Sequence, residues 1–147
     1  MGLFGSGGVD VEQLAGMPLF SGFSDSAMKD VAKLAKERHV AAGEMFIEQG
    51  RFGEACYVIS DGTANLYING TYITSVRAGT TVGEMALLER RPRMATIIAE
   101  TDMVLAEFEI PAFRKMLERY PETEERVQAL LEMRVRENAD NAGGKTD

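Results

Sequence analysis

Apolar residues recur in three distinct rhythms along the chain. The first is helical. Met28, Val31, Ala32, Leu34 and Ala35 fall on one face at a period near 3.6, with Lys29, Asp30, Lys33 and Lys36 opposite. Ser24 precedes this stripe and can accept a bond from an early backbone N–H, so a helix is expected from there to about Lys36.

From Glu37 to Glu109 the rhythm shortens. Glycines at 43, 50, 53, 62, 70, 79 and 83 separate short β-branched or apolar runs. These runs are Met45–Ile47, Tyr57–Ile59, Ala64–Ile68, Tyr72–Val76, Ala95–Ile98 and Met103–Phe108. Such spacing predicts a sandwich or barrel of short strands. Ala64, Leu66 and Ile68 share one strand face; Val104, Ala106, Phe108 and Ile110 share another. Asn69-Gly70 tolerates positive φ at both residues and predicts a tight hairpin.

Helical spacing returns after Pro111. Phe113, Met116, Leu117 and Tyr120 mark one helix. Pro121 opens a second, with Val127, Leu130, Leu131, Met133 and Val135. Residues 1–13 are expected to form a flexible tail, 14–138 one domain, and 139–147 a disordered polar tail. The fold expected from these rhythms is mainly β, a sandwich or barrel of short strands with an N-terminal helix and C-terminal helices.

Composition narrows the function. The chain has 147 residues and 45% hydrophobic content, enough for one packed core. Its net charge of −7 is unlike that of a nucleic-acid-binding domain. No apolar run approaches the roughly 20 residues of a membrane span. No secretory signal is evident, and the single Cys56 suits a reducing compartment, so a cytoplasmic location is expected. Met1, Gly2 and Ser6 match an N-myristoylation pattern, while Leu3 and Phe4 are candidate partner contacts in a loose tail.

The segment with chemical content runs from Gly83 to Thr96, GEMALLERRPRMAT. Gly83 permits close backbone approach to a ligand. One helical turn after it would present unpaired N–H groups suited to an anion. Arg93, after Pro92, can grip a phosphate with two N–H donors. Ionised Glu84 is an acceptor only and can take a sugar hydroxyl. A ligand carrying a phosphate and a neighbouring hydroxyl satisfies both; the alternative is a local Glu84–Arg93 ion pair on a surface turn.

This segment resembles the phosphate-binding cassette of the cyclic nucleotide-binding domain family, in the manner of catabolite-activator-type regulators and kinase regulatory subunits. Gly83, Glu84, Met85, Ala86, Leu87 and Leu88 match the first half of the pattern; Pro92, Arg93, Ala95 and Thr96 match the second. Ala42-Gly43-Glu44, Ile47, Gln49-Gly50 and Gly53 resemble an earlier family stretch, as does Tyr57 to Gly62. The likeness covers about Leu14 to Asn138 and implies an eight-stranded, jelly-roll-like β-roll (barrel) with an N-terminal helix and C-terminal helices. It implies that Glu84 accepts the ribose 2′-hydroxyl and Arg93 neutralises the cyclic phosphate. Backbone N–H groups around Met85, Ala86, Met94 and Ala95 would bond phosphate or ribose oxygens, and Gly83 would leave room for the sugar. Met94 departs from the small or hydroxyl residue common there. It offers no donor to guanine, so cAMP is expected over cGMP. Leu130, Leu131 and Met133 are candidates for a lid over the base, with ordinary packing as the alternative.

Catalysis is not expected. The chain has one histidine, His39, too few for a cupin-type metal site or a hydrolytic triad. No cofactor is expected beyond the nucleotide ligand. DNA-binding relatives carry a helix-turn-helix after the long helix, whereas this chain stops at Asp147, so either a stand-alone receiver or a fragment of something larger is expected, signalling through its C-terminal helices to a protein effector or as a homodimer. Met1 and the unbroken start favour a natural N-terminus. The alternative function is a protein–protein module with a degenerate, ligand-free pocket.

Overall fold

A computed structural model describes the backbone of residues 11–145 and side chains as far as Arg136. The myristoylation pattern with Leu3 and Phe4, and the final two residues, lie outside the described residues. The element order is α1 (Val11–Ala15), a 3₁₀ turn (Pro18–Phe20), α2 (Asp25–Leu34), β1 (Lys36–Val40), β2 (Met45–Ile47), β3 (Ala55–Asp61), β4 (Thr63–Ile68), β5 (Thr71–Arg77), β6 (Thr81–Val82), a second 3₁₀ turn (Glu84–Leu87), β7 (Thr96–Ala99), β8 (Met103–Glu109), α3 (Ile110–Leu117) and α4 (Pro121–Lys145).

The eight strands form two four-stranded antiparallel sheets, in the orders β1-β8-β3-β6 and β2-β7-β4-β5. The strand pairing stays within each sheet. Their facing sides bury Phe46, Tyr57, Ile59, Val76, Val82, Ile97, Met103 and Leu105, so the first core lies between the sheets. A second core lies outside the first sheet. There Cys56, Val58, Ala106 and Phe108 meet Phe20, Met28, Val31, Phe113, Leu117 and Leu131 from the helices. Strands β3 and β8 are thus covered on both faces, which is why their sequences read as nearly continuous apolar runs. The alternate set Val104, Ala106, Phe108 and Ile110 faces the helices, while Leu105 turns into the inter-sheet core.

Local signals hold where the sequence placed them. The Ser24 side chain accepts from Ala27 N at 3.1 Å. Asn69 and Gly70 have φ of 52° and 79° and join β4 to β5, with Ile68 opposite Thr71. Helix α2 stops at Leu34 rather than Lys36, because Lys36 opens β1 and pairs with Glu107. Three residues assigned to the tail, Val11 to Gln13, begin α1, which buries Leu14. At the other end α4 continues past Asn138 to Lys145.

The helical layer is tied at its corners by polar contacts. Tyr120 Oη donates to Asp30 Oδ2 at 2.5 Å, and Arg119 pairs with the same carboxylate at 3.1 Å. Arg126 Nη1 donates to Gly22 O at 2.9 Å. The first two tie the connection between α3 and α4 to α2, and the third ties α4 to the segment before α2.

Candidate functional site

Between β6 and β7 the chain leaves one sheet, makes a single 3₁₀ turn and enters the other. Gly83 begins this turn in the left-handed region, at φ 79° and ψ 7°. A Cβ there would sit 2.8 Å from Arg93 Nη1 and 3.3 Å from Ala55 O, so both conformation and space require glycine. Glu84, Met85, Ala86 and Leu87 form the turn; Leu87 is buried, and Met85, Ala86 and Leu88 pack against the helix-side core.

The backbone of Arg93 is stitched to the loop between β2 and β3. Its N–H donates to Arg51 O at 2.7 Å, and its carbonyl accepts from Gly50 N at 2.8 Å. Pro92 bridges to Phe52, and Gln49 N donates to Thr96 Oγ1 at 3.0 Å. The guanidinium then folds across Gly53. Nη1 donates to Gly83 O at 3.2 Å, and Nη2 donates to Ala55 O. These bonds engage two of the five N–H donors of an arginine, so the rest remain to meet an anion.

Glu84 and Arg93 do not form the local ion pair that their proximity in sequence allowed. Glu84 Oε1 instead accepts from Arg134 Nη1 of α4 at 2.7 Å, with the Glu84 side chain only 12% exposed. Glu84 Oε2 is buried and has no partner among the described residues. Burial raises the Glu84 pKa above its ordinary 4.5, opposed by backbone hydrogen bonding, Arg134 and Arg93. A buried carboxylate oxygen without a donor is where a hydroxyl donor would be most strongly held.

The structure thus brings Gly83, Glu84, Met85, Ala86 and Arg93 into one turn-and-strand junction. The Ala86 N–H already makes a long bond to Gly83 O, at 3.4 Å. Ala95 is half-buried and Met94 is 58% exposed, beside the junction and facing solvent. The lid candidates separate: Leu131 is buried in the helix-side core, Leu130 packs against its edge, and Met133 is 51% exposed. The residue by which α4 does reach the cassette is Arg134, which was not among the candidates drawn from the sequence. An open cavity of about 610 Å³ lies at the mouth between the sheets, lined by Phe46, Ile47, Ala55, Tyr57 and Glu107 and reached from the cassette by Arg93.

A family model for the cyclic nucleotide-binding domain matches residues 37–120, more than half of the chain. The chain belongs to the cyclic nucleotide-binding domain family. It is 34% identical over 104 residues to a cAMP-dependent protein kinase regulatory subunit of Blastocladiella emersonii, covering 67% of this chain and 26% of that protein. It therefore spans about a quarter of that relative's length. A cyclic nucleotide-binding-like protein of Brucella abortus has the same fold, with TM-score 0.67 and 26% identity over 74% of this chain and 97% of the other. The C-linker and CNBHD of zELK channels, crystallised in the presence of cAMP, superposes with TM-score 0.74 at 23% identity, covering 82% of this chain and 62% of that one.

Proposed function

We propose that this cyclic nucleotide-binding domain is a cytoplasmic, non-catalytic receiver that prefers cAMP to cGMP and reports the ligand through α3 and α4. The observation that carries this reading is the Arg134–Glu84 bond. It joins the helix available to a partner to the carboxylate suited to a ribose hydroxyl. Ligand arriving at Glu84 and Arg93 changes what Arg134 pairs with, and so changes the preferred seat of α4. The shift equals the ligand's differential affinity for the two seats. The cAMP preference rests on Met94, which has no hydroxyl to offer guanine, and on the similarity to a cAMP-dependent kinase regulatory subunit.

A receiver without catalysis is consistent with its nucleophile inventory. Cys56 is buried and its thiol is pushed up to about 12 by desolvation. His39 is exposed on β1 and lies 2.5 Å from Glu37. The reader of α4 would be a protein effector or a second copy of this chain, with Met133 on the exposed side. The acidic balance argues against nucleic acid. Among the described residues no helix is long and apolar enough to cross a membrane.

The test is a distance measurement between spin labels at Met133→Cys and Tyr72→Cys, two exposed positions, with the buried Cys56 unlabelled. Saturating cAMP should shift the distance distribution. An unchanged distribution with ligand bound would overturn the signalling role of α4.

A further inference from the structure

One side chain joins α3 to the cassette. Arg114 Nε donates to Leu87 O at 3.1 Å, and its Nη2 donates to Ala86 O at 2.7 Å. These oxygens stand at the C-terminal end of the turn, where a helix leaves carbonyls without N–H partners. The bonds that close the turn run from Leu88 N and Glu89 N, at 3.0 and 3.2 Å, and both go to Met85 O. Among the described residues Arg114 is the one donor to Ala86 O and Leu87 O. A guanidinium suits that position. Its planar fork reaches two adjacent acceptors at once, and its charge opposes the partial negative charge of a helix end.

Packing and polar bonds both hold this end of the turn: Leu87 is buried in the core that contains Phe113 and Leu117 of α3. A groove of about 850 Å³ lies beside the turn, lined by Ala86, Leu87 and Leu88, by Leu117 of α3, and by Val127 and Leu131 of α4. Arg114 also lines this groove, and its two bonds join α3 to the turn. At the opposite end Arg93 holds Gly83 O. The turn is therefore clamped by two arginines from different elements, one of which faces the ligand side.

We propose that Arg114 is a positioning residue for the cassette, fixing the peptide planes after Ala86 and Leu87 so that the turn from Glu84 is set in its binding geometry. It acts through the turn and not on the ligand. The proposal rests on the cyclic nucleotide reading, and its test separates the two. Arg114→Ala, Arg114→Lys and the parent chain would be titrated with cAMP, unfolded in urea, and compared by amide NMR without ligand. Arg114→Ala should bind cAMP about fivefold more weakly, the effect of losing roughly one net hydrogen bond of a charged group at an exposed site. Its urea midpoint should stay near that of the parent, and its amide shifts should be confined to Glu84 to Glu89. Arg114→Lys should recover only part of the affinity, having no fork. Parent-like affinity in Arg114→Ala would overturn the proposal, as would shifts spread through β3 and β8 with a lowered midpoint. If the parent chain itself binds neither cAMP nor cGMP, the cyclic nucleotide reading fails, and the amide shifts alone decide whether Arg114 holds the turn.

Discussion

Gly53→Ala is the most informative single substitution, because it adds one methyl group and touches one functional side chain. Gly53 is not in the left-handed region, so its backbone accepts alanine. Its Cβ, however, would fall 2.0 Å from Arg93 Nη2 and 2.1 Å from both Cζ and Nε. Ordinary contact begins at 3.4 Å, so the guanidinium must move by about 1.4 Å. That displacement breaks its bonds to Gly83 O and Ala55 O. The freed group regains water, so each bond counts only its net value, and the loss in stability is about 1–3 kcal/mol. Arg93 then no longer waits in position for a phosphate. Affinity for cAMP should fall about 10- to 100-fold, or about 1.4–2.8 kcal/mol. Arg93→Ala should cost more, about 2–5 kcal/mol of binding, as when one side of a desolvated charge pair is removed. The assay is calorimetric titration of both single variants and the double variant. Because Gly53 acts only through Arg93, the alanine at 53 should have no further effect once Arg93 is gone. Additive losses in the double variant would refute the reasoning, and so would parent-like affinity in Gly53→Ala.

Other consequences follow from the same geometry. Glu84 accepts a hydroxyl more strongly when ionised, and burial raises its pKa above 4.5, so cAMP affinity should fall on acidification through a range lying above that value. Glu84→Gln should bind more weakly and lose this acid limb in a titration series across pH; a limb that persists would assign the proton elsewhere. The same raised pKa means that the folded state takes up a proton more readily than the unfolded chain, so Glu84 lowers stability as pH rises through its folded pKa and lowers it no further above that range. Arg134→Ala removes a group that holds Glu84 ionised and should move the acid limb to higher pH, read in the same series. Leu131→Ala empties a site in the helix-side core and should cost about 2–5 kcal/mol in urea unfolding.

Much of this architecture was legible because its signals are local. A positive-φ pair such as Asn69-Gly70 or a capping serine such as Ser24 carries its meaning within four residues. Strands β3, β4, β5 and β8 announced themselves by β-branched and apolar runs. β1 did not: in Lys36–Val40 only Val40 is buried, and the others make an edge strand held by pairs such as Lys36–Glu109, at 2.9 Å. β6 has two residues, too few for any periodicity. The site divides in the same way. Glu84 and Arg93 stood out within one motif, whereas no local pattern marks Arg114 or Arg134. Their roles come from contacts 28 and 50 residues away in sequence. Gly53 was visible as a glycine in a patterned stretch, but the reason it must lack a Cβ exists only once Arg93 folds across it.

The central claim, that the Gly83 to Thr96 segment grips a cyclic nucleotide, is tested most directly by calorimetric titration of the purified chain, stripped of carried-over nucleotide, with cAMP and separately with cGMP. The account predicts saturable one-site binding, tighter for cAMP. Absence of heat and of any melting-temperature shift with either nucleotide would contradict it and leave a domain whose cassette serves protein contacts alone.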